Sequence, residues 1–151
     1  MKLKILLILI PLICFICVAV AFIAYHASYT RGLEYTLNED EQSYTVSGIG
    51  TADNVFTLKI PKTYDGKPVT AIDSWAFDGC KNFTKVKIPE SVTFIGDHAF
   101  DNCASLMDIV FANTTGWSAG ENIIASNLLT NTEQAANLVQ YTYCAYSWHR
   151  S

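Results

Sequence analysis

Few residues have side chains suited to catalysis or metal binding, and they are scattered along the sequence. Of the three histidines, only one has acidic neighbours close in sequence, because His98 lies beside Asp97 and near Asp101. An imidazole near two carboxylates could bind a metal ion. However, His98 lies in the second copy of an internal repeat, and Trp75 has the equivalent position in the first copy. We therefore expect a flat, partly exposed side chain at this position and no metal ion.

The other two histidines, His26 and His149, lie far apart in the chain. The order and spacing of serine, histidine and acidic residues indicate no catalytic triad. The sequence therefore predicts a protein that is not an enzyme and that needs no cofactor.

Lysines in strand-like segments form a second candidate site. Lys59, Lys85 and Lys87 alternate with apolar residues, so their side chains are expected to project away from the core. A basic patch on an otherwise acidic domain would suit an acidic partner surface. The alternative is that these lysines keep a sheet soluble and discourage edge pairing. The full set of candidate partner contacts is Lys59, Lys85, Lys87, Asp108, Trp75 and His98.

A repeat of 23 residues must position these side chains. One unit alone has too little apolar surface to offset its ordering entropy, whereas stacked units bury continuous ladders. A period of this length therefore indicates stacked repeats. The recurring residues are Val69, Thr70, Ile72, Ala76, Phe77, Asp78 and Cys80, which return as Val92, Thr93, Ile95, Ala99, Phe100, Asp101 and Cys103.

Short strands are expected in each unit. Residues 55–61 match residues 83–89 in their apolar pattern, and a third copy runs from Leu106 to Phe111. Pro61 and Pro89 follow the first two strands and end each ladder, because proline lacks an amide donor. The alanine and phenylalanine pairs at 76–77 and 99–100 are expected in short helical turns.

The segments beside the repeats are expected to cap them. Alternating residues at 33–37 and 44–46, around an acidic turn, predict a β-hairpin. Further along, Thr130 and Glu133 have the spacing of a helix capping box, and alternation from Tyr141 to Trp148 predicts a closing strand. The predicted domain covers residues 33–151, with an N-terminal cap at 33–54, repeats at 55–111 and a C-terminal cap at 112–151.

Residues 1–25 predict a membrane anchor or a signal segment. The run from Ile5 to Tyr25 carries no charge, and its 21 residues would form a helix about 32 Å long, close to the thickness of a hydrocarbon core. The run continues past a small-residue cleavage site at 19–21, which favours an uncleaved anchor over a signal peptide. Lys2 and Lys4 would keep the N terminus in the cytoplasm. A linker at 26–32 and the domain would then lie outside, at the cell surface, or be secreted after cleavage.

Charge excludes one class of partner. From residue 26 onward, eight basic residues stand against fourteen acidic ones, and no basic stripe is present. Binding to a phosphate backbone requires such a stripe. We therefore expect no nucleic-acid partner.

Cysteine usage leaves one question open. Cys80 and Cys103 have equivalent repeat positions, so stacking would bring their backbones to roughly 5 Å, within the range of a disulfide. Cysteine also behaves as a small buried hydrophobe, and this interpretation is favoured over a disulfide because a ladder position between Phe and Leu requires a side chain of that size. The odd number of cysteines beyond the apolar run excludes a dense disulfide framework.

The repeat also resembles a known family. The segment from Ile88 to Ile109 reads Ile-Pro-x-x-Val-x-x-Ile-Gly-x-x-Ala-Phe-x-x-Cys-x-x-Leu-x-x-Ile. This pattern is similar to the BspA-like class of leucine-rich repeats, and the resemblance extends over roughly residues 33–111. It implies an α/β fold, namely a short leucine-rich-repeat solenoid in which strands dominate and helical turns are brief.

The resemblance also implies a function. Such proteins lie at the cell surface or are secreted, and their repeats bind host proteins, other cells or matrix components without catalysing a reaction. We therefore expect a membrane-tethered, non-catalytic module for protein binding or adhesion. The alternative is a structural protein of the cell envelope that has no dedicated ligand.

Overall fold

The computed structural model describes residues 29–52 and 54–151. The predicted anchor and the first part of the linker lie outside these residues. Within the described ranges, no helix has both the length and the apolar character needed to cross a membrane.

Short strands make up most of the regular structure. The strands are β1 (Glu34–Leu37), β2 (Tyr44–Gly48), β3 (Thr57–Lys59), β4 (Thr63–Tyr64), β5 (Lys67–Ile72), β6 (Lys85–Ile88), β7 (Phe94–Ile95), β8 (Asp108–Phe111), β9 (Trp117–Ala119), β10 (Asn122–Ile123) and β11 (Trp148–Arg150). The helical elements are α1 (Ser126–Thr130), α2 (Thr132–Asn137) and a π-helical segment at Leu138–Thr142.

One strand from each repeat unit joins a small parallel sheet, in the order β3, β6, β8. Leu58, Val86 and Ile109 are paired across its three strands, and all three are fully buried. The register confirms the predicted ladder, including the five extra residues that separate the first two strands. Stacked apolar columns of this kind form the core of the domain.

A larger sheet holds the second strand of each complete repeat unit, β5 from the first and β7 from the second. Its order is β1, β2, β5, β7, β11, β9, β10, with β4 paired to β5. The strands β2, β5 and β7 are parallel, whereas β1 is antiparallel to β2 and forms the expected hairpin. At its other end, β11 lies antiparallel to both β7 and β9. The two flanking segments therefore extend the repeat sheet at each side.

The turns between the two sheets stack as well. The amides of Phe77 and Gly79 donate to the carbonyls of Ala99 and Asp101, each at 2.9 Å. The buried rings of Phe77 and Phe100 stack with centroids 5.2 Å apart. Equivalent residues of successive units therefore lie over one another, as the repeat predicts.

The short helical turns expected at residues 76–77 and 99–100 are wrong, because these residues form non-helical turns. Trp75 and His98 have φ values of 60° and 55°, in the left-handed region. A right-handed helix excludes this conformation. The chain instead makes consecutive turns, such as the one closed by the Cys80 amide and the Phe77 carbonyl at 3.1 Å.

The C-terminal segment differs from the prediction in two places. The residue that caps α2 is Asn131 rather than Thr130, since the Asn131 side chain accepts the Gln134 amide at 3.0 Å. Thr130 instead ends α1 and donates its hydroxyl to the Asn127 carbonyl.

The closing strand predicted from Tyr141 to Trp148 is wrong over nearly all of its length, because the observed strand begins only at Trp148. Residues 138–142 are π-helical, and only Trp148–Arg150 is extended. The buried Gln140 explains the helical part, because its side-chain amide donates to the carbonyls of Leu106 and Ala136. Alternation of aromatic and polar residues does not reveal such contacts.

Candidate binding surface

The outer face of the β3–β6–β8 sheet brings together four of the candidate partner contacts. Thr57, Lys85 and Asp108 form one row across the sheet, and Lys59, Lys87 and Val110 form the next. Side chains alternate between the two faces of a strand. Because the intervening row of Leu58, Val86 and Ile109 is buried, both outer rows face away from the core.

In the first row, the charges compensate each other. The Lys85 ammonium lies 3.4 Å from an Asp108 carboxylate oxygen, and both side chains are about one third exposed. The other carboxylate oxygen of Asp108 accepts the Thr132 hydroxyl at 2.6 Å. This hydrogen bond, with the nearby Lys85, holds the pKa of Asp108 below its usual value. The ion pair therefore leaves little free charge in this row, and the hydrogen bond from Thr132 joins the sheet to α2.

In the second row, the charges are not compensated. Lys59 and Lys87 are direct cross-strand neighbours, and neither has an ion-pair partner within residues 29–52 and 54–151. Like charges opposite each other destabilise a sheet. An acidic group placed between them would remove this repulsion.

An open groove lies beside the second row, with a volume of about 550 Å³. Apolar residues at the ends of the strands line it, among them Pro61, Ile88, Pro89 and Val110. Lys59, Lys62 and Lys87 also contribute to its wall. Lys62 is ion-paired with Glu90, so the uncompensated charge in the groove comes from the other two lysines. The groove therefore offers an apolar surface beside two cations.

The remaining candidates, Trp75 and His98, lie elsewhere. They belong to the turns between the two sheets, where the indole stacks on the imidazole at 4.1 Å and 13°. Trp75 is half exposed, which agrees with the flat, partly exposed side chain expected here. The six candidates therefore divide into a sheet surface and a separate aromatic pair.

Comparison of the sequence with models of known protein families agrees with the repeats seen in the structure. Residues 53–147, more than half of the chain, match the family model for the BspA type leucine-rich repeat region, which is described with six copies. The chain belongs to this family. A comparison with curated proteins found no match.

Several solved structures of bacterial leucine-rich repeat proteins are similar to this BspA-type chain. A protein of T. pallidum is 32% identical over 52% of this chain and 36% of its own, with a TM-score of 0.49. A protein of Bacteroides capillosus is 27% identical over 55% and 63%, also with a TM-score of 0.49. A leucine rich cell surface protein of Faecalibacterium prausnitzii is 30% identical over 57% and 23%, with a TM-score of 0.48. The match covers less than two thirds of each of these proteins.

The cysteine positions of the BspA-type repeat contain free thiols. Cys103 is buried, and its thiol donates to the Phe77 carbonyl at 3.1 Å. Burial raises the pKa of Cys103 to about 12, so the thiol stays protonated at neutral pH. Cys80 is partly exposed, and burial raises its pKa as well. Both act as ladder residues rather than as nucleophiles.

Two groups of residues near these sites are not identified by the sequence pattern. Tyr29, Lys62 and Pro61 line the groove, but they lie outside the rows that strand alternation identifies. Cys144 lies close to His98 although it is in the C-terminal segment of this BspA-type chain. No repeat spacing connects Tyr29 with the groove or Cys144 with His98, so only the tertiary structure reveals these two relationships.

Proposed function

We propose that this chain is a non-catalytic protein-binding module of the cell surface. Its partner would present carboxylates beside apolar side chains. The uncompensated Lys59–Lys87 pair at the edge of an apolar groove is the observation that carries the proposal. Membership of the BspA-type family and the absence of a triad pattern in the sequence support a binding role over an enzymatic one.

The charge pattern supports this partner chemistry. An acidic group between Lys59 and Lys87 would form charge-assisted hydrogen bonds and relieve their repulsion. Apolar side chains of the partner would cover the exposed apolar lining of the groove. Salt weakens such contacts, so the complex is expected to dissociate faster at high ionic strength.

The repeats would act as a short solenoid between two caps. In this proposal, residues 33–54 cap the first unit, residues 55–111 contain the repeats and residues 112–151 cap the last unit. The apolar run at residues 5–25 would tether the domain to the membrane, with the linker at 26–32 between them. Measuring the N-terminal sequence and the mass of the mature protein tests this part, since a cleaved product would be released.

The second candidate function is a structural role without a dedicated ligand. The Lys85–Asp108 and Lys62–Glu90 pairs favour it, because they show lysines of this surface that are already occupied within the chain. The two functions differ in what happens when the uncompensated charges are reversed. A structural protein would not lose a ligand.

A peptide-binding experiment separates these functions. The full chain in detergent is applied to an array of peptides that place Asp or Glu next to an apolar residue, with Lys-containing peptides of equal length as the reference. We expect the wild type to retain the acidic peptides, and the double variant K59E/K87E to lose at least about tenfold in affinity.

The matched control for that experiment is K81E. Lys81 is exposed in a loop outside the sheet, so its reversal makes the protein more acidic without touching the groove. This variant should bind the acidic peptides like the wild type. Equal binding by K59E/K87E with an unchanged circular dichroism spectrum, or no preference of the wild type for acidic peptides, would contradict the proposed binding surface.

A further inference from the structure

Three potential ligand atoms converge where the second repeat unit meets the C-terminal segment. A ring nitrogen of His98, a carboxylate oxygen of Asp101 and the sulfur of Cys144 all lie within 4.8 Å of one another. The His98 Nδ1 and the Asp101 Oδ2 are already 3.0 Å apart. We propose that His98, Asp101 and Cys144 form a zinc site that fastens the C-terminal segment to the repeats.

The backbone holds these three residues near one another without the metal. His98 and Asp101 belong to one turn, which is closed by the Asp101 amide and the His98 carbonyl at 3.1 Å. The His98 amide in turn donates to the Cys144 carbonyl at 2.6 Å. Two hydrogen bonds therefore connect the three ligands through the main chain.

The imidazole is oriented as well. The indole of Trp75 stacks on one face of the His98 ring, and the side chains of His98 and Asp101 are only about one quarter exposed. A ring held in this way loses little further freedom when it binds a metal ion. Trp75 is thus a positioning residue for the proposed site.

The types of the three ligand atoms favour zinc over other metal ions. Imidazole, carboxylate and thiolate together are typical zinc ligands, whereas calcium and magnesium prefer oxygen ligands alone. In a tetrahedral site with ordinary zinc bond lengths, neighbouring ligand atoms lie about 3.3–3.6 Å apart. The sulfur therefore has to move by no more than about 1.5 Å. Zinc would be bound by the thiolate sulfur of Cys144, whose proton passes to water, by a carboxylate oxygen of Asp101 and by an unprotonated ring nitrogen of His98, and water would complete the coordination.

The proposed site has a structural role. Two ligands come from the last complete repeat and the third from the segment that follows the repeats, so the metal would close a long stretch of chain. Closing a long loop removes conformational freedom from the unfolded chain and stabilises the fold. The simpler alternative is a hydrogen bond between His98 and Asp101 beside a thiol that donates only to the Tyr141 carbonyl, at 3.7 Å.

Cobalt titration decides between these alternatives. The full chain is stripped of metal in detergent and titrated with Co²⁺, which reports thiolate coordination through a charge-transfer absorption band. We expect one Co²⁺ per chain, an intense band, and its loss when Zn²⁺ is added. The variant C144S should lose the band, whereas C80S, which removes another partly exposed thiol, should keep it.

A second ligand variant and a chemical readout complete the test. H98N should weaken Co²⁺ binding by at least about tenfold, and asparagine tolerates the left-handed backbone at this position. In the wild type, Zn²⁺ should slow alkylation of Cys144 on the order of tenfold and leave Cys80 unaffected, which is measured by mass spectrometry even if C144S does not fold. The proposal is overturned if the wild type shows no band, if the band persists in C144S, or if Zn²⁺ does not protect Cys144.

Discussion

The amide of His98 donates to the carbonyl of Cys144 at 2.6 Å. In the preceding unit, the equivalent amide of Trp75 donates to the carbonyl of Asp97, which belongs to the next unit. Cys144 therefore supplies the hydrogen-bond acceptor that a further repeat would supply. A repeat array needs such a substitute at its end, because exposed ladder groups recruit other chains.

The C-terminal segment also takes the place of a further repeat in the larger sheet. The Thr93 amide donates to the Thr70 carbonyl of the preceding unit, and the Arg150 amide donates to the Thr93 carbonyl in the same way. The final strand thus continues the backbone ladder although it runs antiparallel to its neighbour. The C-terminal segment ends the repeats at two separate places.

The stacked phenylalanines should carry a large share of the stability. Phe77 is fully buried and stacks on Phe100, so Phe77→Ala should lower the free energy of unfolding by about 3–5 kcal/mol through lost burial and a cavity. The control is Phe56→Ala, because Phe56 is 81% exposed and its removal should change stability by less than about 0.5 kcal/mol. Urea denaturation measures both, and similar losses in the two variants would contradict the stacked core.

Gly96 explains one departure from the repeat. An added Cβ at Gly96 would lie 2.3 Å from the Ser74 nitrogen and 2.6 Å from its Cα, whereas the equivalent Asp73 is exposed. Because backbone atoms cannot move aside easily, Gly96→Ala should cost about 1–3 kcal/mol in the free energy of unfolding. Asp73→Ala is the control and should cost less than about 1 kcal/mol. A Gly96→Ala variant as stable as the wild type would mean that the two units are further apart than described.

The position of the helix cap can be tested directly. Asn131 accepts the Gln134 amide, so Asn131→Ala should lower stability by about 0.5–2 kcal/mol. Thr130→Ala removes only an exposed hydrogen bond to Asn127 and should cost less than about 0.5 kcal/mol. Thermal unfolding of both variants distinguishes the observed cap from the capping box predicted at Thr130.

The Asp97–Ser74 hydrogen bond predicts a dependence of stability on pH. The Ser74 hydroxyl donates to Asp97 at 2.6 Å and is the main reason that the pKa of this carboxyl lies below its ordinary value of 3.8. A carboxyl whose pKa is lowered on folding stabilises the protein above its unfolded pKa, and the effect disappears as the pH falls through the folded pKa. The contribution is therefore full at neutral pH and lost below about pH 4.

Asp97→Asn isolates this contribution, since it keeps an oxygen acceptor but cannot be deprotonated. The wild type should be more stable than Asp97→Asn at pH 7, and the difference should shrink as the pH falls from about 5 to 3. Ser74→Ala should reduce the same pH-dependent difference, because it removes the hydroxyl donor. Urea midpoints measured across this range provide the check, and a difference that stays constant with pH would rule out the assignment to Asp97.

The local spacing of apolar residues in the sequence was enough to predict the repeating part of the fold. The apolar spacing around Leu58, Val86 and Ile109 identified the buried face of each strand, and the echo of Phe77 by Phe100 predicted their stacking. Both predictions depend only on like residues packing on like residues at a constant period. The sequence also identified the outward row that contains Lys59 and Lys87 through strand alternation.

Contacts between segments that are unrelated in sequence required the tertiary structure. The hydroxyl of Thr132 donates to the Asp108 carboxylate, and the side-chain amide of Gln140, in the π-helical segment, donates to the Leu106 carbonyl. Cys144 reaches His98 only because the C-terminal segment folds back onto the last repeat. Sequence by itself determined the repeats, because their packing partners have the same pattern. The tertiary structure decided how they end and which side chains meet there, because those partners share no period with the repeats.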